Sequence, residues 1–303
     1  MSLHDDILLM GRRAVTASRS LARLSSASKS GILKRMGAEI LARRDAIKTT
    51  NARDMEEGSR KGLSKALLDR LHLTDSRIDG MAKGVFEVAE LADPVGQIME
   101  SKVRPNGLKI DKVRVPIGVI AVIYESRPNV TADAASLCIK SSNAVILRGG
   151  TESIHSNVAI AAALEAGGRA AGLPDYAVQL VQTTDRDAVK ELVQLEGLVD
   201  LAIPRGGEGL IRAVAEVSRI PVIKHYKGVC HVYVDEQADI DMAVAICENG
   251  KCQRPGVCNA VETLLVHEKM AKAFLPAVAS LLESKHVELR GDEAARRIVP
   301  TKS

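Results

Sequence analysis

Residues 117–124 read Ile-Gly-Val-Ile-Ala-Val-Ile-Tyr, an apolar run without a charged side chain. Such a run is typical of a strand that is buried on both faces of a parallel sheet. Further strands are predicted at 144–147, 178–181, 198–203 and 221–225, with helices between them at 130–140, 153–166, 186–195 and 207–217. This alternation predicts a doubly wound parallel sheet, an α/β fold in which the loops after the strands meet at one ligand-binding edge.

Helical segments precede this alternation, and a second α/β segment follows it. One buried helical face is predicted by apolar residues at helical spacing, namely Leu33, Met36, Ile40 and Ile47. Past Val229 the alternation resumes, with strands predicted at 229–234 and 262–267 and helices at 239–247 and 270–282. We therefore expect a dinucleotide-binding domain over residues 1–234 and a second α/β domain over residues 235–303.

A projecting hairpin is predicted near residues 101–115. Asn106-Gly107 separates two short alternating stretches there, and this pair supplies the positive φ angles of a tight turn. Exposed ribbon edges often pair with another subunit, which would make the protein a homo-oligomer. A plain surface hairpin is the alternative.

Composition limits the partners of the protein. The chain has no Trp, two Phe and four Tyr, which argues against a nucleic-acid surface of stacking aromatic rings. The net charge of +4 is dispersed among many acids and bases, so the early basic residues indicate solvated helix faces rather than a polyanion-binding arm. A modest positive balance suits a small anionic substrate. No segment approaches the roughly 18 apolar residues of a membrane span, so no membrane partner is expected.

The cysteines indicate a reducing compartment, and we expect a cytoplasmic protein with free thiols. They are Cys138, Cys230, Cys247, Cys252 and Cys258, an odd number, and no signal peptide is visible before them. No Cys-x-x-Cys pair or neighbouring histidine completes a zinc site, so no metal is expected.

Cys258 is the candidate nucleophile. Residues 248–260 have the composition of a loop, in which Pro255-Gly256 precedes Cys258 and suits a sharply turned, exposed position. The nearby cations Lys251 and Arg254 favour a thiolate, which attacks carbonyl carbon and forms thioesters. From these residues alone, an inert loop cysteine is the alternative.

Two glycine loops follow predicted strands, and the second opens a helix. They are Arg148-Gly149-Gly150-Thr151-Glu152 and Pro204-Arg205-Gly206-Gly207-Glu208-Gly209. Bare backbone and a helix N-terminus can hold phosphate oxygens, and an arginine beside them can neutralise the charge. Simple turn glycines are the alternative, but two such loops after parallel strands favour a dinucleotide. A third loop, after the first strand, offers the Asn129 amide to a developing oxyanion.

Several linked segments resemble the γ-glutamyl phosphate reductase branch of the aldehyde dehydrogenase superfamily, also called glutamate-5-semialdehyde dehydrogenase. They are residues 115–131 with Tyr124-Glu125-Ser126-Arg127-Pro128-Asn129, residues 147–150 and 203–207, and Gln253-Arg254-Pro255-Gly256-Val257-Cys258-Asn259-Ala260. Order and spacing hold from the first helices to residue 303. The resemblance implies an aldehyde dehydrogenase-like fold whose second domain is catalytic.

The resemblance also implies a step of proline biosynthesis. NADPH reduces L-γ-glutamyl 5-phosphate to L-glutamate 5-semialdehyde, and phosphate is released. Cys258 falls at the family's catalytic cysteine and would form an acyl-thioester, while its backbone N–H and Asn129 hold the oxyanion. Arg148 matches a superfamily lysine beside the adenosine ribose. Thr151 stands where NAD-preferring relatives carry Glu, which favours NADP(H).

The remaining site residues are assigned to cofactor and substrate. Gly149, Gly206 and Gly207 are predicted to contact the cofactor, and Arg127 and Arg254 the glutamyl substrate. Residues 223–228, Ile-Lys-His-Tyr-Lys-Gly, lack the glutamate base with which oxidising aldehyde dehydrogenases hydrolyse the thioester. Without that base the thioester can exchange with phosphate, as a reductase requires.

One departure from the family leaves alternatives open. Family members run past the point at which this chain stops, so we expect the domain over residues 235–303 to be incomplete. The alternatives are another aldehyde dehydrogenase-type enzyme, such as a CoA-acylating one, and a truncated chain that binds NADP without turnover.

Overall fold

The chain begins with helices in the computed structural model, which describes residues 2–224, 228–255 and 257–302. They are α1 (Leu3–Leu21), α2 (Ser26–Ala42), α3 (Arg44–Arg60), α4 (Lys65–Leu71) and α5 (Asp75–Glu90). Hydroxyl side chains begin several of them, because Ser2, Ser25 and Thr74 each accept a hydrogen bond from a backbone N–H of the first turn. The residues of the predicted apolar face are all buried, but they do not share one helix: Leu33, Met36 and Ile40 lie on α2, and Ile47 lies on α3.

The predicted hairpin is present as β1 (Ile98–Val103) and β2 (Lys109–Val113), which pair antiparallel and are exposed along their whole length. The turn differs from the predicted form. Only Gly107 has a positive φ, +85°, and Asn106 does not. The loop is longer than the Asn-Gly pair, because Arg104 N–H bonds the Leu108 oxygen at 2.9 Å and closes the hairpin.

The alternating segment forms a parallel sheet with helices on both faces, as predicted. Its elements are β3 (Val119–Tyr124), α6 (Val130–Lys140), β4 (Ala144–Arg148), α7 (Ile154–Ala170), β5 (Val178–Leu180), α8 (Asp187–Val193), β6 (Leu201–Arg205) and α9 (Glu208–Val217). The strand order is β5-β4-β3-β6, and all neighbours are parallel. Helices α6 and α7 contact each other, and α1 contacts α8. Right-handed crossovers place α6 and α7 on one face of the sheet and α8 on the other.

The central strand β3 anchors this arrangement. All six of its residues are buried, and full burial of a Val or Ile side chain contributes about 1.5–3 kcal/mol. Because the strands are parallel, the loops after β3, β4 and β6 come to the same edge of the sheet.

In this segment one predicted helix end and one predicted strand are wrong. Helix α7 does not stop at Gly167-Gly168 but continues to Ala170. A Cβ on Gly167 would lie 2.6 Å from the backbone oxygen of Arg35, so this glycine lets α7 approach α2 rather than ending the helix. The strand predicted at 221–225 is reduced to a single bridge between Val222 and Ala202, and its last residue lies outside the described residues.

The second compact unit comprises residues 225–303, and the first comprises residues 1–224. The second unit contains β7 (Cys230–Val234), α10 (Ile240–Cys252), β8 (Val261–Val266), α11 (Glu268–Ser284) and α12 (Glu293–Arg296). Strands β7 and β8 pair in parallel, and Phe274 and Cys247 are buried in the core beside them. The pairing places β7 in the second unit, so the division falls before this strand rather than at Val234.

No helix among the described residues is long and apolar enough to span a membrane.

Candidate functional site

Two carboxylates tie together the three loops at the edge of the sheet. Glu125, directly after β3, accepts a hydrogen bond from Gly207 N–H at 2.8 Å, at the start of α9. Glu152, after β4, accepts bonds from the N–H and the hydroxyl of Ser126 at 2.6 and 2.5 Å. Ser126 has a φ of +40°, a strained value for a residue with a side chain, and these bonds hold it there.

Neither glutamate was among the site residues predicted from the sequence. The signal that could have found them is their position, because both Glu125 and Glu152 lie within a few residues of a strand's carboxyl end. Side chains at that edge of a parallel sheet face the ligand-binding loops.

The glycines of the two loops serve different purposes. A Cβ on Gly149 would overlap the side chain of Asn157. Gly149 is therefore required by packing within the protein and not by contact with a ligand. A Cβ on Gly206 would meet the Glu125 carboxylate and come within 2.7 Å of Leu210. Bare backbone is therefore exposed at the start of α9, where an incoming phosphate could take the place of the Glu125 carboxylate.

A buried polar chain supports the loop after β4. The Tyr124 hydroxyl lies 2.6 Å from the Thr131 hydroxyl, which donates to Asn157 at 3.1 Å. The Asn157 amide in turn donates to Ser153 at 3.0 Å. Burial raises the pKa of Tyr124 well above its ordinary value, so its hydroxyl stays protonated. This series of hydrogen bonds holds the start of the loop that carries Gly149.

Arg148 lies beneath the same loop and is only 7% exposed. Its Nη1 donates to the Gly149 oxygen at 2.9 Å and its Nη2 to the Asp185 oxygen at 3.3 Å, while its Nε is buried without a partner among the residues described. Burial lowers the pKa of this guanidinium. Thr151, by contrast, is exposed at the first residue of a short 3₁₀ turn.

The residues after β3 are placed at the start of α6. Asn129 directly precedes this helix, and its amide donates to the Asp133 carboxylate at 2.8 Å. Burial raises the pKa of Asp133. One amide N–H of Asn129 is thus engaged, so an oxyanion could use only the other. Arg127 is exposed in the same loop.

Cys258 is the exposed thiol of the second unit. All five cysteines are free and described, and of these only Cys258 is classed as exposed. Burial raises the pKa of Cys138 to about 12, and it also raises that of Cys247. A thiol of that kind is protonated and unreactive at neutral pH, whereas Cys258 is accessible to a substrate.

The surroundings of Cys258 differ in part from the predicted loop. Helix α10 continues through Cys252, so residues 248–252 are helical and the loop begins only after them. The Cys230 thiol contacts the backbone oxygen of Cys258 at 3.5 Å. Arg254 is exposed in the loop, and the preceding glycine, Gly256, lies outside the described residues.

The two clusters lie in different units. Asn129, Arg148, Gly149, Thr151, Gly206 and Gly207 share the sheet edge of the first unit with Arg127, whereas Cys258 and Arg254 share a loop of the second. Within the described residues, no group of three or more His, Cys, Asp or Glu side chains could hold a metal ion. Of the segment at 223–228, residues 225–227 lie outside the described part of the chain.

The fold and the match to a family model define a class. The family model described as "Aldehyde dehydrogenase family" matches residues 4–296. An acetylating aldehyde dehydrogenase from Geobacillus thermoglucosidasius has the same fold, with a TM-score of 0.64 over 92% of this chain and 59% of its own, at 17% identity. The chain belongs to the aldehyde dehydrogenase family of oxidoreductases.

More similar proteins define the branch within that family. The gamma-glutamyl phosphate reductase of Xanthomonas campestris pv. campestris is 56% identical over 284 residues, which cover 94% of this chain and 69% of the relative. That of Xanthomonas axonopodis pv. citri is 54% identical over the same shares. The crystal structure of gamma-glutamyl phosphate reductase from Thermotoga maritima aligns with a TM-score of 0.89 at 42% identity, over 98% of this chain and 72% of its own. Within its family this chain therefore belongs to the γ-glutamyl phosphate reductases, which confirms the resemblance read from the sequence.

Proposed function

We propose that this chain reduces L-γ-glutamyl 5-phosphate to L-glutamate 5-semialdehyde with NADPH, releasing phosphate, as a step of proline biosynthesis. The observation that carries the proposal is the exposed Cys258 in a chain of the γ-glutamyl phosphate reductase branch. Dispersed positive charge suits the anionic acyl phosphate.

The protein's own chemistry begins at the Cys258 sulfur. Its thiolate attacks the acyl carbon, a carbon–sulfur bond forms, and the bond to the phosphate oxygen breaks, so that phosphate leaves with the electron pair. The thioester is then reduced to a thiohemiacetal, whose collapse returns the thiolate and releases the aldehyde. The backbone N–H of Cys258 and the second amide N–H of Asn129 are the proposed oxyanion donors.

The loops of the first unit fit a dinucleotide. Gly206 and Gly207 leave bare backbone at the start of α9, and the Nε of buried Arg148 has no partner among the described residues. These residues would hold the cofactor together with Gly149 and Thr151, with Arg148 beneath the adenosine ribose. When bound, NADPH supplies the hydride.

Substrate recognition is assigned to exposed arginines. Arg127 and Arg254 would meet the carboxylate or phosphate of the substrate, since the planar guanidinium matches both groups. The sequence at 223–228 carries no glutamate that could activate water, so the thioester is expected to persist until it is reduced.

The reverse reaction tests the proposal. The purified chain is mixed with glutamate 5-semialdehyde and NADP, with and without phosphate, and NADPH absorbance is followed. We expect phosphate-dependent NADPH formation that is lost in Cys258→Ala and kept in Cys138→Ala, because Cys138 is buried and protonated.

The other outcomes identify the alternatives. Turnover that needs CoA rather than phosphate would assign the chain to a CoA-acylating enzyme, and turnover with neither would assign it to a hydrolytic dehydrogenase. Binding of NADPH without turnover would show a chain that holds the cofactor but lacks catalysis.

We also infer that the β1–β2 hairpin pairs with a second copy of this chain. Both strands are exposed throughout, including the apolar side chains of Ile98, Val103 and Ile110. A two-stranded ribbon with open edges and apolar side chains is stabilised by adding strands. Val103→Lys is expected to lower the molar mass measured by light scattering, and Lys102→Gln is the control. An unchanged mass in both variants would contradict this interface.

A further inference from the structure

The arginine beneath the β4 loop is poorly placed to neutralise a phosphate. Arg148 is 7% exposed, and its two Nη groups already donate to the backbone oxygens of Gly149 and Asp185. A phosphate monoester carries up to two negative charges, and an exposed guanidinium can offer it a bidentate pair of hydrogen bonds. The cation that meets such a group should therefore be a different residue near this loop.

Arg186 is such a residue. It directly follows Asp185, whose backbone oxygen lies 3.3 Å from Arg148 Nη2, so it is adjacent to the loop after β4. Arg186 is exposed, and its guanidinium has no hydrogen bond or ion pair within the described part of the chain. After burial and the charge of Glu152, the positive charge of Arg186 is the next influence on the pKa of Arg148, and it lowers that pKa.

The backbone around Arg186 is held in place. The Asp185 carboxylate accepts the Asp187 N–H at 2.9 Å, and the Thr183 hydroxyl accepts the Asp185 N–H at 3.2 Å. The Arg186 carbonyl accepts the Val189 N–H at 3.1 Å. Only the side chain of Arg186 remains to be ordered by a ligand, which limits the entropic cost of binding.

We infer that Arg186 binds the 2′-phosphate of NADP and so determines the preference for NADP over NAD; this inference rests on the dinucleotide-dependent function proposed above. A guanidinium can donate two parallel hydrogen bonds to one phosphate. Exposed Thr151, in the loop that Arg148 supports, carries no charge that would repel the group. The Glu152 carboxylate of that loop is engaged by Ser126.

Binding of adenosine phosphates tests the inference without turnover. Calorimetric titrations of the whole chain compare 2′,5′-ADP, which carries the 2′-phosphate, with 5′-AMP, which lacks it. Arg186→Gln should weaken 2′,5′-ADP binding about 10- to 100-fold, the value of a lost charge-assisted bond, and change 5′-AMP binding by less than about twofold. Arg186→Lys should retain part of the preference. The ratio of kcat/KM for NADPH to that for NADH should fall by the same factor.

A matched control comes from helix α8, which begins directly after Arg186. Lys190, one turn further along α8, is also exposed, and Lys190→Gln removes the same charge. It should leave both affinities unchanged. An equal loss in Lys190→Gln, or wild-type affinity for 2′,5′-ADP in Arg186→Gln, would overturn the inference. The inference would also be overturned if the wild-type chain bound 5′-AMP as tightly as 2′,5′-ADP, but the proposed binding of a dinucleotide would not be contradicted by that result. A wild-type chain that binds neither nucleotide, NADPH nor NADH would overturn the proposed function itself.

Discussion

The buried ion pair between α2 and the segment after α5 allows a quantitative test of the fold. Lys29 is 1% exposed, and its Nζ lies 2.6 Å from the Asp93 carboxylate and 2.8 Å from the Ser142 hydroxyl. Asp93→Ala removes the counter-charge and leaves the ammonium in a buried place with one neutral partner. We expect this substitution to destabilise the first unit strongly.

The magnitude follows from the burial of Lys29. Removing one partner of a buried pair costs about 3–5 kcal/mol, and we take about 3 kcal/mol because the Asp93 side chain is 16% exposed and water can partly replace it. For a unit of about 200 residues, that loss lowers Tm by roughly 6–12 °C. The double variant Lys29→Met, Asp93→Ala should recover much of the loss, because no uncompensated charge remains.

The stabilisation should also depend on pH. Burial pushes the pKa of Asp93 upward, but hydrogen bonds from Lys29 and the Val95 N–H, with the charges of Lys29 and Lys140, outweigh it, so this pKa lies below its ordinary value of 3.8. A carboxyl group whose pKa is depressed on folding stabilises the protein above the unfolded pKa. The difference between wild type and Asp93→Ala should therefore be complete at neutral pH and shrink as pH falls through the folded pKa.

Thermal and urea unfolding followed by circular dichroism measure both effects. The control is Glu90→Ala, which breaks the exposed Glu90–Lys34 pair in the same part of the fold. That variant should unfold close to wild type, because exposed pairs contribute little. The reasoning is refuted if Asp93→Ala unfolds within about 1 kcal/mol of wild type at neutral pH, or if the Glu90 variant loses as much.

Glycine substitutions give further predictions. Gly167→Ala should destabilise the first unit by about 1–3 kcal/mol, because its Cβ would lie 2.6 Å from the Arg35 oxygen and force two helices apart. Gly80→Ala should stabilise it by about 0.5–1 kcal/mol, because this helical glycine has nothing within 4 Å of the added Cβ; unfolding of both variants would show whether the signs are opposite. Gly206→Ala should leave Tm near wild type, since the flexible Glu125 side chain can move, but weaken NADPH binding in a titration; unchanged affinity would place the cofactor phosphates elsewhere.

Much of the fold could be predicted from local patterns. Within the predicted run 117–124, the six residues that form β3 are all buried, although Ile117 before them is exposed, and helix α6 spans Val130–Lys140 as predicted. Threonine before α5 caps its first turn. These features depend on side-chain periodicity and on hydrogen bonds within a few residues, so neighbouring sequence carries the information.

The site was only partly predictable. The glycine loops and Cys258 were found from composition and from resemblance, and the family is shown by the comparisons. The engagement of Glu125 and Glu152 with neighbouring loops was not found, because their partners lie 82 and 26 residues away in the chain. The burial of Arg148 was also missed, since it depends on packing with distant parts of the chain, such as Asp185 in the loop after β5.

Glycine shows most directly what the sequence determined and what it left to the tertiary structure. In the sequence, Gly167-Gly168 and Asn249-Gly250 both indicate the end of a helix, because glycine is a poor helix former. In the structure both pairs are helical: Gly167 lies against the α2 backbone, and a Cβ on Gly250 would come within 2.7 Å of Val261 on β8. The sequence alone determined the order of strands and helices, the parallel sheet and the family, and it indicated Cys258 as the candidate nucleophile. Only the tertiary structure decided where α7 and α10 end, because close contact between elements outweighs a local helix preference of about 1 kcal/mol. It also decided that Arg148 is buried while Arg186 is exposed to solvent, because burial depends on packing between distant segments.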